Sequence, residues 1–212
     1  STHFDDIQIV AHLGAQTDLL LSHYTYAVLE GRKTSLQAEL DLVGADSWWD
    51  AALAARGEND PDFGLFNDVQ SPPFWLDYTR LLQLWEDAFG SGTVTLRPLD
   101  INALMSPQGA EEAPAMLALS KPLGRVKPGR VPAREPAVNL ARMRAFNDVL
   151  IRYLKVEDLT IPRDLWGQML ASLRVPGAAI DLGSLPAIAD HFKADNAALI
   201  ARFPALGRIK AP

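Results

Sequence analysis

The stretch Ile7-Gln8-Ile9-Val10-Ala11-His12-Leu13, followed by Gly14-Ala15-Gln16-Thr17-Asp18, decides the fold class. Its first seven residues are rich in β-branched side chains and almost unbroken in apolar character. A short run of that kind predicts a strand buried on both faces, as in a parallel sheet. Gly14 breaks the run, and Thr17 or Asp18 can cap the helix that follows. In that helix Leu20, Tyr24, Ala27 and Val28 recur at helical spacing. Gly31 stands where a helix ends on a left-handed residue. Strand, short turn and helix in this order predict an α/β protein.

Working outward, Thr34 and Gln37 have capping-box spacing and predict a second helix starting at Thr34 or Ser35. Trp48, Trp49 and Leu53 predict a further amphipathic turn or two, and residues 57–73 read as an acidic, proline-bearing loop. Phe74, Tyr78, Leu81, Leu82, Trp85 and Phe89 form one continuous helical stripe. Gly90 and Gly92 stop it, and Thr93-Val94-Thr95-Leu96-Arg97-Pro98 reads as a strand, the returning half of a βαβ unit. Strand signals end there. Asn139 to Leu154 predicts a helix with Ala145, Phe146, Val149, Leu150, Tyr153 and Leu154 inward. Asp164 can cap another through Leu173, with Leu165, Trp166, Met169 and Leu170 inward. Ser184 can cap a last helix striped by Leu185, Ile188, Ala189, Phe192, Leu199, Ile200 and Phe203, ended by Pro204.

The predicted class is therefore α/β: a partial parallel sheet flanked by helices, with a mostly helical C-terminal half. The organisation is one domain over residues 1–212, with an α/β part over 1–100, a basic loop over 121–134 and a helical part over 135–212. Two strands are few where a small α/β domain uses about five. The chain thus reads as the latter part of a larger domain whose earlier strands precede Ser1.

Composition narrows the classes. With 212 residues, 48% hydrophobic and 22% charged, the chain can bury a sizeable core and is not a disordered one. No apolar run approaches the roughly 18 residues a membrane span needs. The absence of cysteine excludes disulfides, thiolate metal ligands and cysteine nucleophiles. It is consistent with a reducing compartment, and the expected location is the cytoplasm. The net charge of −6 divides into −13 over residues 1–120 and +7 over residues 121–212. The acidic part argues against nucleic acid as a partner. The basic part is densest in the loop carrying Lys121, Arg125, Lys127, Arg130 and Arg134, which fits either a solvated connector or the holder of a phosphate or sulfate.

Most motifs fail their own chemistry. Gly31-Arg32-Lys33-Thr34 resembles the end of a phosphate loop, but Tyr26 occupies the first glycine position and Arg32 separates Gly31 from Lys33. Glu58-Asn59-Asp60-Pro61-Asp62 has Phe63 where a calcium loop turns on glycine and Val69 where it needs a bidentate Glu. His3, His12, His23 and His191 make no zinc pattern, so no metal is expected. No Gly-x-Ser-x-Gly elbow is present. Trp75, Trp85 and Trp166 lie in or beside helical stripes and read as core. Only the pair Trp48-Trp49 is expected to leave a ring outside. His23 reads as a surface residue.

One pattern stands above this background. Ile9-Val10-Ala11-His12-Leu13, Gly14-Ala15-Gln16-Thr17-Asp18 and Leu19-Leu20-Leu21-Ser22-His23-Tyr24 together resemble a segment of bacterial sulfotransferase-like proteins. Asp77-Tyr78-Thr79-Arg80-Leu81-Leu82 through Trp85, Phe89-Gly90 and Val94-Thr95-Leu96-Arg97-Pro98 resemble that family's following helix and strand. Asn139 to Asn147 and Asp195-Asn196-Ala197-Ala198-Leu199 resemble two of its later helices. The resemblance implies the P-loop-type sulfotransferase fold. It implies 3′-phosphoadenylyl sulfate as co-substrate and a sulfuryl group passed to a hydroxyl on a small-molecule or glycan acceptor. It implies that Ser22 holds the donor's 3′-phosphate, with Arg130 and Arg134 of the basic loop as the cations that reach it. The family's arginine positions read Gly14-Ala15 here. Its phosphate loop, Gly-x-x-Lys-Thr-Gly-Thr, is not among the 212 residues, and the expectation is that it precedes Ser1. The other expected class is a non-catalytic relative that binds a glycan or a protein through Trp48-Trp49 and the basic loop.

Overall fold

The computed structural model describes residues 7–57, 59–63, 65–106, 109 and 134–208. Strands β1 (Ile9–Leu13) and β2 (Val94–Pro98) pair in parallel, with Ile9 opposite Val94 and Leu13 opposite Pro98. The ladder extends at both ends, through Ile9 N–H to the Thr93 carbonyl at 2.9 Å and Leu99 N–H to the Leu13 carbonyl at 2.7 Å. These are the two strands read from the sequence, in a two-stranded sheet among the described residues. The expectation that β1 is buried on both faces is corrected. Ile9 to His12 are only partly covered, and Leu13 alone is buried. In β2 Val94 and Leu96 are buried while Thr95 faces out, the alternation of a strand covered on one side.

Ten helices surround the sheet among the described residues: α1 (Gln16–Leu29), α2 (Gln37–Leu40), α3 (Trp48–Ala54), α4 (Asn67–Gln70), α5 (Tyr78–Phe89), α6 (Ile101–Leu104), α7 (Ala137–Glu157), α8 (Arg163–Ser172), α9 (Pro186–His191) and α10 (Lys193–Arg202). The class is α/β, with a small parallel sheet flanked by helices and a mostly helical C-terminal half. None of these helices is long and apolar enough to cross a membrane.

α1 is the central strut. Leu20, Leu21, Tyr24, Ala27 and Val28 are buried, and they feed two cores. Tyr24 and Val28 pack with Leu140, Met143 and Ile151 of α7 and Trp166 and Leu170 of α8. Leu20 and Leu21 pack with Trp48 of α3, Leu76, Ile188 of α9 and Phe192 just after it. A third core joins Leu13, Val94 and Leu96 of the sheet to Tyr78 and Leu82 of α5 and Leu199 of α10.

The helix boundaries follow backbone chemistry more closely than side-chain patterns predict. α1 begins after Ala15, which makes no side-chain cap, so neither Thr17 nor Asp18 is its cap. Its end matches the expectation. Gly31 has φ +100°, its N–H reaches the Val28 carbonyl, and Arg32 N–H reaches the Ala27 carbonyl at 2.8 Å, a Schellman closure. α2 starts after Leu36 without a side-chain cap, so Thr34 does not form the expected box. The helix expected from Phe74 is split. Phe74–Leu76 makes a separate 3-10 turn, and the Asp77 carboxylate takes the Arg80 N–H at 3.0 Å to start α5. The last helix is likewise two. Ser184 donates to the Asp181 carbonyl rather than capping, and the chain breaks at Phe192. That break serves packing: Phe192 lies against Trp48 at 5.2 Å between ring centroids, while Leu199 turns to the sheet.

Two inward faces are also corrected. On α7 the buried residues are Asn139, Leu140, Met143, Asn147, Ile151 and Leu154, whereas Val149 (60% exposed) and Tyr153 (55%) face out. An apolar-only stripe misses this face because two asparagines lie on it. On α8 Trp166 and Leu170 are buried but Leu165 is exposed. Trp48 and Trp49 are both buried, at 1% and 9% exposure, against the expectation that one ring stays outside. The short α3 lies between two partners: Trp48 donates Nε1–H to the Pro73 carbonyl at 3.0 Å, and Trp49 stacks edge-on against Phe74 at 4.7 Å. A glycan platform on this pair is therefore not present.

Candidate functional site

In open α/β sheets, ligands gather beyond the carboxyl ends of the strands. Here that end is built by the turn Gly14-Ala15 and the first two turns of α1. The Tyr78 hydroxyl, on α5, donates to the Gly14 carbonyl at 2.9 Å and fixes the turn. Burial pushes the Tyr78 pKa up, so the phenol stays a donor. A side chain at position 14 would meet Leu99 at 3.2 Å, which is why glycine fits between the strand ends. Gln16 and Asn196 then exchange amide hydrogen bonds at 2.8 and 3.0 Å, tying the start of α1 to α10. Thr17 is buried, and its hydroxyl has no hydrogen-bond partner among the described residues.

Asp18 follows, and Arg134, 116 positions further along the chain, donates from Nη2 to its Oδ1. Ser22 lies one turn after Asp18 on the same face of α1 and is exposed. The structure thus brings Arg134 to the helix face that carries Ser22, with a carboxylate as its partner. Arg130, with Lys121, Arg125 and Lys127, lies outside the described residues. The resemblance singled out Ser22 and Arg134 but not Asp18 as the contact of Arg134. No local signal links positions so far apart.

His23 turns the other way. Its ring meets Trp75 edge-on at 5.6 Å and lines a cavity of about 240 Å³ with Arg56, Asp68, Ser71 and Phe74. Burial, reinforced by the charge of Arg32, lowers its pKa from 6.5 to about 4, against the opposite pull of the Asp68 carbonyl and carboxylate. The expectation of a surface histidine is corrected. Ser22 and His23 do not share a site, as successive helical residues diverge by about 100°.

Behind this cavity lies a buried polar network that the sequence did not announce. Arg32 and Glu39 are both fully buried, with Arg32 Nη2 2.7 Å from Glu39 Oε1. That contact is close, yet its direction leaves both Glu39 oxygens without a well-formed hydrogen bond. Burial pushes Glu39 up while Arg32 pulls it down. Arg32 also donates to the Thr34 carbonyl at 3.1 Å and the Ser71 carbonyl at 3.3 Å, and lies over the Tyr24 ring. Gln70 of α4 accepts a hydrogen bond from Lys33 N–H at its Oε1 and donates one from Nε2 to the Gly31 carbonyl, both at 3.1 Å. Asn147 of α7 donates to the Val28 and Arg32 carbonyls at 2.8 and 3.0 Å and accepts from Trp166 Nε1–H at 2.9 Å. The segment resembling a phosphate loop is therefore the capped end of α1, its carbonyls consumed by protein donors. Asn139 is similarly committed, to Glu135 at 2.7 Å and Val175 N–H at 2.9 Å.

No group of three or more His, Asp or Glu side chains converges on a point among the described residues. Asp60, from the acidic loop, pairs with Lys155 of α7 at 2.9 Å. Comparison of the chain with protein-family models, with curated proteins and with solved structures returns no match.

Proposed function

We propose that this chain acts as a sulfotransferase-like protein that uses 3′-phosphoadenylyl sulfate, with the donor's 3′-phosphate on the α1 face of Asp18 and Ser22. The observation that carries the reading is the arrival of Arg134 at that face, beyond the carboxyl end of the parallel strands. The Arg134–Asp18 pair is exposed, 52% and 40% at the side chains, and such pairs are worth at most about 1 kcal/mol. The guanidinium can therefore leave this carboxylate and grip a phosphate through two N–H groups, with the exposed Asp18 side chain swinging into solvent, away from the like charge of the phosphate. The Ser22 hydroxyl supplies a further donor one turn on, and the partial positive charge at the start of α1 adds to the attraction.

In the reaction, the acceptor oxygen bonds to sulfur as the bridging bond from sulfur to the 5′-phosphate oxygen breaks. Adenosine 3′,5′-bisphosphate leaves, and the acceptor's hydroxyl proton goes to a base. The share of this chain is to seat the 3′-phosphate and so orient the donor, a positioning role. With its low pKa and its place on another face, His23 is not assigned as the base. A thermal-shift titration with adenosine 3′,5′-bisphosphate tests the reading. The wild-type chain gains melting temperature with ligand, and Ser22→Ala and Arg134→Gln, both at exposed positions, reduce the gain while shifting the unliganded melting temperature by no more than about 4 °C. An equal gain in Arg134→Gln removes the arginine from the site, and no gain in the wild type removes the site.

A further inference from the structure

The cavity beside His23 is walled on one side by Pro72, Pro73, Phe74 and Trp75 and carries two charged side chains, Arg56 and Asp68. Both are exposed, and neither is in an ion pair among the described residues. The comparable cavity beside α8, about 270 Å³, differs in this respect: its Arg163 and Arg174 are committed to Glu30 and Glu135. We infer that the His23 cavity binds a small zwitterion of amino-acid size with a flat apolar side chain, its carboxylate on Arg56, its ammonium on Asp68 and its ring against Trp75.

Three observations carry this. The volume of about 240 Å³ is at the small end of ligand sites, below the few hundred Å³ and more that drug-sized molecules fill. The walls offer an indole, a phenyl ring and two prolines, surfaces on which an aromatic or flat aliphatic body gains contact. The charges facing the cavity sum to zero, one guanidinium and one carboxylate, so a ligand with a net charge leaves one of them opposed or unmatched. His23 does not disturb that balance, because its imidazole is neutral well below pH 7. The buried Arg32 behind it is matched by Glu39. The site is independent of the α1 face proposed for the donor phosphate and shares no residue with it.

Isothermal titration of the 212-residue chain with L-phenylalanine, phenethylamine and 3-phenylpropionate tests the inference. The amino acid is expected to bind at least about ten-fold more tightly than either half-ligand, one charge contact being worth roughly that factor. Arg56→Gln is expected to weaken the amino acid and the acid while leaving the amine unchanged. Asp68→Asn is expected to weaken the amino acid and the amine while leaving the acid unchanged. Both positions are exposed, so the variants fold. Absence of saturable heat with all three ligands up to ~10 mM overturns the inference, as does binding that neither substitution changes.

Discussion

At His23 the protein holds an imidazole in its neutral form by burying it near a guanidinium, and this has a consequence for stability. The unfolded chain protonates His23 near pH 6.5, whereas the folded chain resists until about pH 4. Below pH 6.5 the unfolded state therefore binds the extra proton, and the stability present above that pH is lost as pH falls, levelling off near pH 4. The loss approaches about 3 kcal/mol at most, on a scale of 1.36 kcal/mol per pKa unit. Urea melts at pH 7 and pH 4.5 should show His23→Gln losing less stability than wild type over that interval. An equal loss in both proteins means His23 does not carry the effect. At Asn147 one amide holds two carbonyls and an indole. Asn147→Leu strands these buried groups together, so a destabilisation of about 2–4 kcal/mol is expected in the same assay.

At the scale of elements, two helix ends make the same left-handed demand on the backbone and meet it with different residues. Gly31 ends α1 at φ +100°, and a Cβ there would also meet Trp166 at 3.3 Å. Asp158 ends α7 at φ 50°, a left-handed position held by a residue with a Cβ. Gly31→Ala is expected to cost at least about 1 kcal/mol and Asp158→Gly to stabilise by up to about 1 kcal/mol, both read from thermal midpoints. The first of these ends was legible in the sequence, because glycine after an apolar helical repeat has one dominant meaning. The strands were legible for a similar reason: short β-branched runs bounded by Gly14, Gly90 and Gly92 leave few alternatives. The inward face of α7 was not legible. Asn139 and Asn147 are polar letters whose burial depends on partners in α1, α8 and the following loop. Likewise, the split at Phe192 is set by Trp48 across the fold, and a helical stripe carries no trace of it. Of the candidate site, Ser22 and Arg134 could be named only through the resemblance, and their common face emerges only when the chain folds. The cavity around His23, drawn from α1, α3 and residues 68–75, had no linear signal at all.

At the scale of the whole molecule, two cores meet on α1, and the buried Arg32–Glu39 pair flanks Leu36, which packs against both. Removing one charge leaves the other buried and uncompensated, so Glu39→Gln is expected to cost about 3–5 kcal/mol. The double change Arg32→Met with Glu39→Leu should cost less than the single one, as measured by denaturant midpoints. A larger cost for the double change means that the pair contributes net stability beyond the penalty of its isolation. The same central helix presents Asp18 and Ser22 at the open end of the sheet, where Arg134 closes over it. The proposed function therefore rests on recognition of a phosphate at the 3′ position of an adenosine nucleotide. The most direct measurement is the affinity of the chain for adenosine 3′,5′-bisphosphate compared with adenosine 5′-monophosphate by isothermal titration. The predicted result is a preference of about ten-fold or more for the bisphosphate, one phosphate contact with a guanidinium being worth 1.4 kcal/mol or more, lost in Arg134→Gln. Equal affinity for the two nucleotides would contradict it.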